Sequence, residues 1–395
     1  MGIMRATARF VYTLDGNEPI VNGFVEYDDA DGTVIRVGAC DEGEEVASGA
    51  IVPGFVNGHC HVELSHLHKK FRKGTGMAGF IDQINELRDW AGNDVKAQLT
   101  RKWMDKMWDD GVSAMADISN DESSFELKKD HRMYTRTFLE VFGSEPEMCE
   151  GVMNDVAALN VKADEAGIDA APTPHSCYTM SPQLLSASAA AGLERGFISY
   201  HSQESQEEED LLLTGTGAMY ENRKRSGMST PPVTGESSLK YFIDRLADVR
   251  PAPYDGHILL VHNVCLSQSD IDAAKKVMNN VYWAICPLSN IFIHNALPPV
   301  PLMRKNALAI LVGTDSLSSN DDLDMVKELY CLHDNFPEVP MSELLEWACL
   351  NGARFLGKED VLGSLTPDKK PGIVRIENID AEGNLTADSR SVRIV

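Results

Sequence analysis

Residues 51–67, which read IVPGFVNGHCHVELSHL, indicate both the fold and the site of this chain. An apolar run leads through Pro53 and Gly54 to His59 and His61, which are separated by one residue. Side chains two residues apart on a strand face the same way, so both imidazoles can point at one spot. Two imidazoles at the end of a buried strand provide half of the ligands of a zinc site.

The size and charge of the chain limit the class of protein. Its 395 residues and its hydrophobic content of 43% suit a large α/β barrel with an appendage. The formal net charge of −24 argues against a nucleic-acid partner, because a protein that binds the nucleic-acid backbone needs a basic face. The acidic surface does not identify the substrate.

The cysteines and the apolar segments indicate the cellular compartment of the protein. The eight cysteines are scattered and include no C-x-x-C pair, which argues against a zinc ribbon and favours free thiols in a reducing compartment. The N-terminal segment lacks a long apolar stretch and a convincing cleavage site. No segment reaches the roughly 18 apolar residues of a membrane span. We therefore expect a cytoplasmic protein with no membrane partner.

Apolar runs of strand length alternate with segments of helical period through residues 51–362. The eight predicted strands are residues 51–56, 112–118, 134–142, 168–171, 197–200, 258–261, 281–285 and 308–312. This alternation predicts the α/β class and a closed (β/α)8 barrel of the TIM type. Short predicted strands in residues 1–50 and 363–395 are expected to form a small β-sandwich beside the barrel.

Residues at about 205–235 interrupt the alternation and suit an insertion after the fifth predicted strand. Gly, Pro and Thr dominate the second half of this insertion, which predicts a loop or lid. Its first half holds an acidic run, which we interpret as the solvated first turn of a helix. That run consists of Glu207, Glu208, Glu209 and Asp210.

In such a barrel the functional residues lie at the carboxyl ends of the strands. Five of the eleven histidines end or follow predicted strands, and they are His59, His61, His175, His201 and His262. A carboxylate, Asp315, follows the eighth strand. Three imidazoles and one carboxylate suit a metal such as zinc. The sequence therefore predicts a mononuclear site with the ligands His59, His61, His201 and Asp315.

Four further residues have expected roles beside the metal. Glu204 lies three residues after His201 and can move a proton between water and substrate. His262 can orient or polarise the attacking water. His175 is either a substrate contact or a structural histidine, and Glu63 is either a substrate contact or a loop hydrogen-bonder.

Other catalytic motifs are missing from the sequence. It contains no H-E-x-x-H, and the H-x-E at His61 has no accompanying P-C-x-x-C, which argues against a cytidine-type nucleobase deaminase. The G-x-S-x-G of serine hydrolases and the G-x-x-x-x-G-K-[ST] of NTPases are absent as well.

The motifs PGFVNGHCH, HSQE, VHN and GTDS, in this order, resemble those of the amidohydrolase superfamily. The segment GSLTPDKKPG is similar to the family's GxLxxGKxAD turn, with Pro371-Gly372 in place of Ala-Asp. The nearest branch is the adenosine-deaminase-like group. Here HCHVELSHL, CPLSN and TDSLSSNDDLDMVKEL resemble aminodeoxyfutalosine deaminases most, with S-adenosylhomocysteine deaminases and chlorohydrolases slightly further away.

The resemblance implies roles for the matching positions. The four predicted ligands would hold one Zn²⁺, or Fe²⁺ in its place. Glu204 would protonate a ring nitrogen of the substrate, and His262 and Asp315 would deprotonate and aim the attacking water. The residues placed near the substrate are Glu63, His175, Ser289 and Asn290. Binuclear members carry a carboxylated lysine where this chain has Thr173-Pro174-His175, so one metal ion is expected.

Three hypotheses about function follow. The first is a zinc aminohydrolase of a small-molecule adenine-type nucleoside, with 6-aminodeoxyfutalosine as a candidate. The second keeps the same machinery but acts on another amino- or chloro-substituted heterocycle, because metal ligands serve the attack and do not reveal the leaving group. The third is a metal-binding protein without activity, against which the presence of Glu204 and His262 argues. The resemblance also suggests a homodimer.

Overall fold

The structure, a computed structural model, describes residues 2–395 and contains one terminal sheet and two parallel sheets in that range. The strands are β1 (Ile3–Val11), β2 (Ile20–Asp28), β3 (Val34–Ala39), β4 (Ala50–Pro53), β5 (Phe55–Cys60), β6 (Val112–Ser119), β7 (Tyr134–Val141), β8 (Ala170–Pro174), β9 (Phe197–Ser202), β10 (Tyr254–His262), β11 (Met278–Ile285), β12 (Ile310–Val312), β13 (Ile373–Glu377) and β14 (Arg390–Arg393). The helices are α1 (Gly76–Leu87), α2 (Asn93–Asp109), α3 (Phe125–Asp130), α4 (Cys149–Ala166), α5 (Pro182–Glu194), α6 (Gln206–Leu213), α7 (Ala218–Arg225), α8 (Ser238–Ala247), α9 (Gln268–Val277), α10 (Pro287–His294), α11 (Val300–Lys305), α12 (Met325–Asn335), α13 (Met341–Leu345) and α14 (Asn351–Leu356).

Two parallel sheets form the centre of the molecule, with the strand orders β5-β6-β7-β8 and β9-β10-β11-β12. Their eight strands fall on the eight runs predicted from the sequence, and helices such as α4, α5 and α9 pack against them. Burial on both faces explains why these strands have nearly continuous apolar runs. Residues from both sheets, including Val56, Phe138, Leu259 and Leu311, share one apolar cluster. The α/β class with parallel sheets is confirmed.

The two ends of the chain meet in a six-stranded mixed sheet with the order β14-β13-β4-β1-β2-β3. In it, β4 pairs parallel to β1 and antiparallel to β13, so the C-terminal segment completes the N-terminal one. Every strand that the structure assigns to residues 1–50 and 363–395 lies in this one sheet. A β-sandwich needs two packed sheets, so the predicted small β-sandwich stays a prediction.

Gly54 separates two strands that the sequence analysis takes as one run, residues 51–56. β4 ends at Pro53 in the terminal sheet, and β5 begins at Phe55 in a parallel sheet. The Gly54 amide donates a hydrogen bond to the Gly372 carbonyl at 3.1 Å. A Cβ atom on Gly54 would overlap the Ser113 hydroxyl and the Pro371 carbonyl, so the crossover requires a residue without a side chain.

Gly54→Ala is expected to lower the free energy of unfolding by about 1–3 kcal/mol, because the added methyl group has no space. The matched control is Gly151→Ala in α4, where a Cβ atom would have no neighbour within 4 Å. This control should stabilise the protein by about 0.5–1 kcal/mol through helix propensity. Urea unfolding measures both changes, and equal stability of the two variants would contradict the crowding at Gly54.

The insertion contains two helices, α6 and α7, followed by residues without helix or strand from 228 to 235. The acidic run begins α6, as predicted, but its interpretation as a solvated turn is wrong. Glu208 is fully buried and Glu209 is 5% exposed. Glu207 accepts hydrogen bonds from the backbone amides of Met77 and Ala78 at the start of α1. The run connects separate elements of the fold.

The cysteines are free thiols, as expected from their spacing. Cys60 packs in the apolar core on the side of β5 opposite the two histidines that flank it, and burial raises the pKa of its thiol. Within residues 2–395, no helix combines the length and the apolar character needed to cross a membrane.

Candidate active site

Three imidazoles converge at the carboxyl ends of β5 and β9. His59 ends β5 with Cys60, His61 follows it, and His201 lies in β9. His61 Nε2 lies 3.1 Å from His59 Nε2 and 3.3 Å from His201 Nε2. Zinc–nitrogen bonds are about 2.0–2.1 Å long, so ligands around one ion lie at such separations. A proton can bridge only one of these pairs, whereas a cation accounts for all three nitrogens.

Asp315 supplies the carboxylate of this cluster. Its Oδ1 lies 3.7 Å from His59 Nε2 and 3.6 Å from His61 Nε2. Its Oδ2 accepts hydrogen bonds from the Ser289 hydroxyl at 2.6 Å and from the Ser319 hydroxyl at 2.9 Å, which leaves Oδ1 facing the imidazoles. Burial opposes ionisation, but the nearby histidines and the Ser289 hydroxyl lower the pKa of Asp315. The four groups fit a divalent cation.

Glu204 and His262 lie beside the cluster, and burial shifts their pKa values in opposite directions. His262 Nε2 is 3.5 Å from Glu204 Oε1, and the Asn290 amide group contacts His262 Nδ1 at 3.2 Å. Burial lowers the pKa of His262 to about 4, so its imidazole is neutral at neutral pH. Burial, with the charges of Asp315 and Glu208, raises the pKa of Glu204 well above its usual value. A protonated carboxyl group beside a neutral imidazole provides a proton donor and a proton acceptor.

Glu208 fixes the backbone that carries Glu204. Its two carboxylate oxygens accept hydrogen bonds from the amides of Gln203 at 3.0 Å and Glu204 at 2.9 Å. Gln203 has a left-handed backbone, with φ of 51°. The Ser205 hydroxyl caps α6 by accepting a hydrogen bond from the Glu208 amide at 3.2 Å. This cap directs the Glu208 carboxylate toward the backbone that precedes the helix.

Glu208→Gln should lower kcat/KM by about ten- to a hundredfold, because an amide cannot accept both backbone bonds. It should also shift the pH profile. The charge of Glu208 raises the pKa of Glu204, so its removal lowers that pKa. Since Glu204 acts when protonated, the alkaline loss of activity should move to lower pH. The control is Glu221→Gln, which changes an exposed carboxylate of α7. An unmoved alkaline limb would contradict this role.

A buried ion pair supports the segment after His61. Lys128 Nζ lies 2.7 Å from Asp117 Oδ2, and both side chains are almost fully buried. Asp117 Oδ1 accepts a hydrogen bond at 2.9 Å from the backbone amide of Val62, the residue that follows His61. The ion pair therefore orients the backbone that presents one of the four predicted ligands.

The remaining sequence-predicted residues take different places. His175 lines the cavity beside the cluster, and burial lowers its pKa to about 3. Ser289 and Asn290 lie behind Asp315 and His262 and bind them. These placements make Ser289 and Asn290 supports of the site.

The Glu63 carboxylate turns toward a neighbouring loop. It accepts hydrogen bonds from the Asn120 amide at 3.1 Å and the Ser124 hydroxyl at 2.8 Å. Burial raises its pKa to about 7, partly opposed by Lys128. These contacts favour the loop hydrogen-bonding interpretation of Glu63.

A cavity of about 400 Å³ opens onto the cluster and reaches outward between α1, α7 and the segment after β7. Glu140, near the end of β7, lines it and was missed by the sequence analysis. Its Oε1 is buried without a hydrogen-bond partner in the described chain and lies 3.8 Å from His175 Nε2. Its position near the carboxyl end of the third predicted strand is the sequence feature that could have identified Glu140 as a site residue.

Comparisons with known proteins agree with this geometry. A family model described as "Amidohydrolase family" matches residues 50–394. A 5-methylthioadenosine/S-adenosylhomocysteine deaminase of Syntrophomonas wolfei subsp. wolfei is 26% identical over 389 residues, covering 91% of this chain and 81% of that protein.

Two solved structures share the fold. Helicobacter pylori aminofutalosine deaminase in complex with methylthio-coformycin has a TM-score of 0.77 at 19% identity, covering 99% of this chain and 100% of that chain. An adenosine deaminase from Xanthomonas campestris with bound zinc has a TM-score of 0.72 at 17% identity, covering 97% of this chain and 86% of that chain.

Proposed function

This chain belongs to the amidohydrolase family, and we propose that it is a zinc-dependent deaminase that releases ammonia from an adenine-type nucleoside. Family membership makes it a hydrolase of carbon–nitrogen bonds. One observation carries the finer proposal: the Glu204 carboxyl group, whose pKa burial raises, and the His262 imidazole, whose pKa burial lowers, lie 3.5 Å apart beside the four-residue metal cluster. Replacement of an amino group on a heterocycle by water needs both a proton donor and a proton acceptor at this place.

The four ligands proposed for one Zn²⁺ are His59, His61, His201 and Asp315. When bound, the ion lowers the pKa of a water molecule so that a nucleophile forms at neutral pH. His262 orients the attacking water and accepts its proton. Glu204 donates its proton to the ring nitrogen next to the carbon that carries the amino group, which makes that carbon electrophilic. His262 then passes the proton from water to the departing amine, and the hydroxyl group added to the carbon gives its proton back to Glu204 as the carbon–nitrogen bond breaks. The products are the oxo-heterocycle and ammonia, and both residues regain their starting protonation states.

The nucleoside proposal draws support from relatives. The Syntrophomonas protein is named as a deaminase of 5-methylthioadenosine and S-adenosylhomocysteine, and the Helicobacter structure as an aminofutalosine deaminase. The cavity of about 400 Å³ has a volume typical of small-molecule sites. Our candidate substrate is 6-aminodeoxyfutalosine.

We also propose that the two parallel sheets close into an eight-stranded barrel within residues 51–362, with the insertion at about 205–235. Contacts between the sheet edges support closure. The His59 carbonyl accepts hydrogen bonds from the backbone amides of Thr314 at 3.1 Å and Asp315 at 3.0 Å. At the other edge, the His175 carbonyl accepts a hydrogen bond from the His201 amide at 3.0 Å. Residues 1–50 and 363–395 would then form the separate small β unit.

Product analysis tests the proposed function. Zinc-loaded protein is incubated with adenosine, S-adenosylhomocysteine, 6-aminodeoxyfutalosine, guanine and a chlorotriazine, and ammonia and chloride are quantified. We expect ammonia and the matching oxo-nucleoside from at least one adenine nucleoside. Release of chloride, or of ammonia from guanine alone, would favour the alternative leaving group or heterocycle. Zinc binding without ammonia release from any adenine nucleoside would contradict the proposed deaminase.

A further inference from the structure

Glu328 of α12 is a fully buried acidic residue that the proposed chemical steps do not use. Its Oε2 accepts a hydrogen bond from the Leu288 amide at 3.0 Å, and its Oε1 accepts one from the Asn320 side-chain amide at 2.7 Å. Burial raises the pKa of Glu328 to about 8, and these two donors oppose that rise. Because both oxygens face N–H donors, the charged carboxylate fits this position.

The bond to the Leu288 amide caps α10 from a distant helix. Cys286, the residue before α10, provides no side-chain hydrogen bond to the start of that helix. The first amides of a helix need acceptors, and a negative charge is favourable beside them. The Glu328 carboxylate meets both needs. It thereby fixes the first turn of α10, which carries Ser289 and Asn290.

The first turn of α10 contacts two groups of the candidate active site. The Ser289 hydroxyl donates a hydrogen bond to Asp315 Oδ2 at 2.6 Å. The Asn290 amide group contacts His262 Nδ1 at 3.2 Å. Displacement of this turn would therefore misalign both the carboxylate proposed as a metal ligand and the imidazole proposed to accept the proton of water. Glu328 acts on both groups through one helix end.

The bond to the Asn320 amide supports Asp315 through its backbone. The same amide group donates to the Thr314 carbonyl at 2.9 Å, which belongs to the peptide group directly before Asp315. Asp315 has a left-handed backbone with φ of 58°. A residue other than glycine keeps this conformation only when its surroundings hold it there. Glu328 orients the Asn320 amide that holds this peptide group.

We propose that Glu328 is a positioning residue that couples the placement of Asp315 to that of His262. The proposal rests on the proposed function, because it uses the roles that these two residues have there. One carboxylate oxygen fixes the helix start that contacts both residues, and the other fixes the peptide group before Asp315. Glu328 itself lies outside the lining of the cavity. Its loss should therefore change metal affinity and the chemical step while leaving substrate binding intact.

Glu328→Gln tests this role, because glutamine keeps the shape of the side chain but has only one acceptor oxygen. We expect kcat per bound zinc ion to fall about ten- to a hundredfold and the zinc dissociation constant to rise about tenfold. KM for the best adenine nucleoside should stay within about twofold of the wild-type value. Competition with a chelator measures zinc affinity without turnover. Asp334→Asn, an exposed position of α12, is the control and should match the wild-type protein.

A second substitution separates positioning from general destabilisation. Asn320→Asp alone places two carboxylates against each other and should lower kcat at least as much as Glu328→Gln. In the combined variant, the glutamine amide can donate to the new aspartate while the glutamine oxygen accepts the Leu288 amide. The loss of kcat in the combined variant should therefore be smaller than the product of the two single losses. Zinc affinity should recover less, because the Thr314 carbonyl still lacks its donor.

Urea unfolding of the metal-free variants measures global stability separately. Wild-type kcat and zinc affinity in Glu328→Gln, even with a lower free energy of unfolding, would overturn the positioning role. Single losses that simply multiply in the combined variant would overturn the coupling through Asn320.

Failure of the proposed function gives a different result. If the wild-type protein releases no ammonia from any adenine nucleoside, the proposed function is contradicted, and the zinc affinities still decide whether Glu328 positions Asp315. If Glu328→Gln does not fold, Asn320→Ser removes the same contact from the other side. Wild-type zinc affinity and kcat in that variant would overturn the proposal.

Discussion

Glu204→Gln is expected to lower turnover by about a hundred- to ten-thousandfold while leaving the metal ion bound. The carboxyl group of Glu204 is buried beside His262, and burial raises its pKa, which favours the protonated form that can donate a proton. Glutamine preserves the shape of the side chain but cannot donate an acidic proton to a ring nitrogen. Since general acid catalysis contributes about a hundred- to ten-thousandfold, kcat should fall by that factor.

Elemental analysis and ammonia release on the same sample measure both quantities for this variant. Glu150→Gln, an exposed position on α4, is the matched control and should retain wild-type activity. A Glu204→Gln protein that turns over at the wild-type rate would contradict the proton transfer. Loss of the ion together with activity would show that Glu204 acts on the metal cluster.

His201→Asn is expected to remove the metal ion and, with it, the activity. His201 Nε2 faces His61 Nε2 at 3.3 Å, so its loss leaves the cluster one ligand short. In the wild-type protein, zinc at a hundred times its dissociation constant should stabilise the native state by about 2.7 kcal/mol. That zinc-dependent stabilisation should be absent in the variant.

Thermal unfolding with zinc and with a chelator measures this difference. His333→Asn on α12, away from the cluster, is the control and should keep the full zinc-dependent shift. An equal shift in His201→Asn would place the zinc elsewhere on the protein.

Several features of this chain could be predicted from the sequence because they depend on local pattern. Each parallel strand is a short apolar run, since it is buried on both faces. His59, His61 and His201 lie at the carboxyl ends of such runs, and Asp315 follows one closely. Parallel strands bring these ends to the same edge, so strand assignment alone brought the four residues together.

The supporting residues depend on contacts between distant segments and were therefore missed. Glu208 lies in an acidic run whose composition is typical of solvated helix starts, and only the fold turns its carboxylate toward Gln203 and Glu204. Glu328 likewise follows a lysine in the first turn of α12, and such charged pairs are typical of an exposed helix surface. The break at Gly54 was missed because the apolar run continues across it into a second sheet.

Zinc titration of the metal-free protein tests the central claim most directly. Protein stripped by a chelator receives increasing zinc, and bound metal and ammonia release from the best adenine nucleoside are measured on each sample. The four-ligand cluster predicts that activity rises in proportion to occupancy and levels off at one ion per chain. Full activity in the metal-free protein, or an increase that continues to a second ion, would contradict a single catalytic metal held by His59, His61, His201 and Asp315.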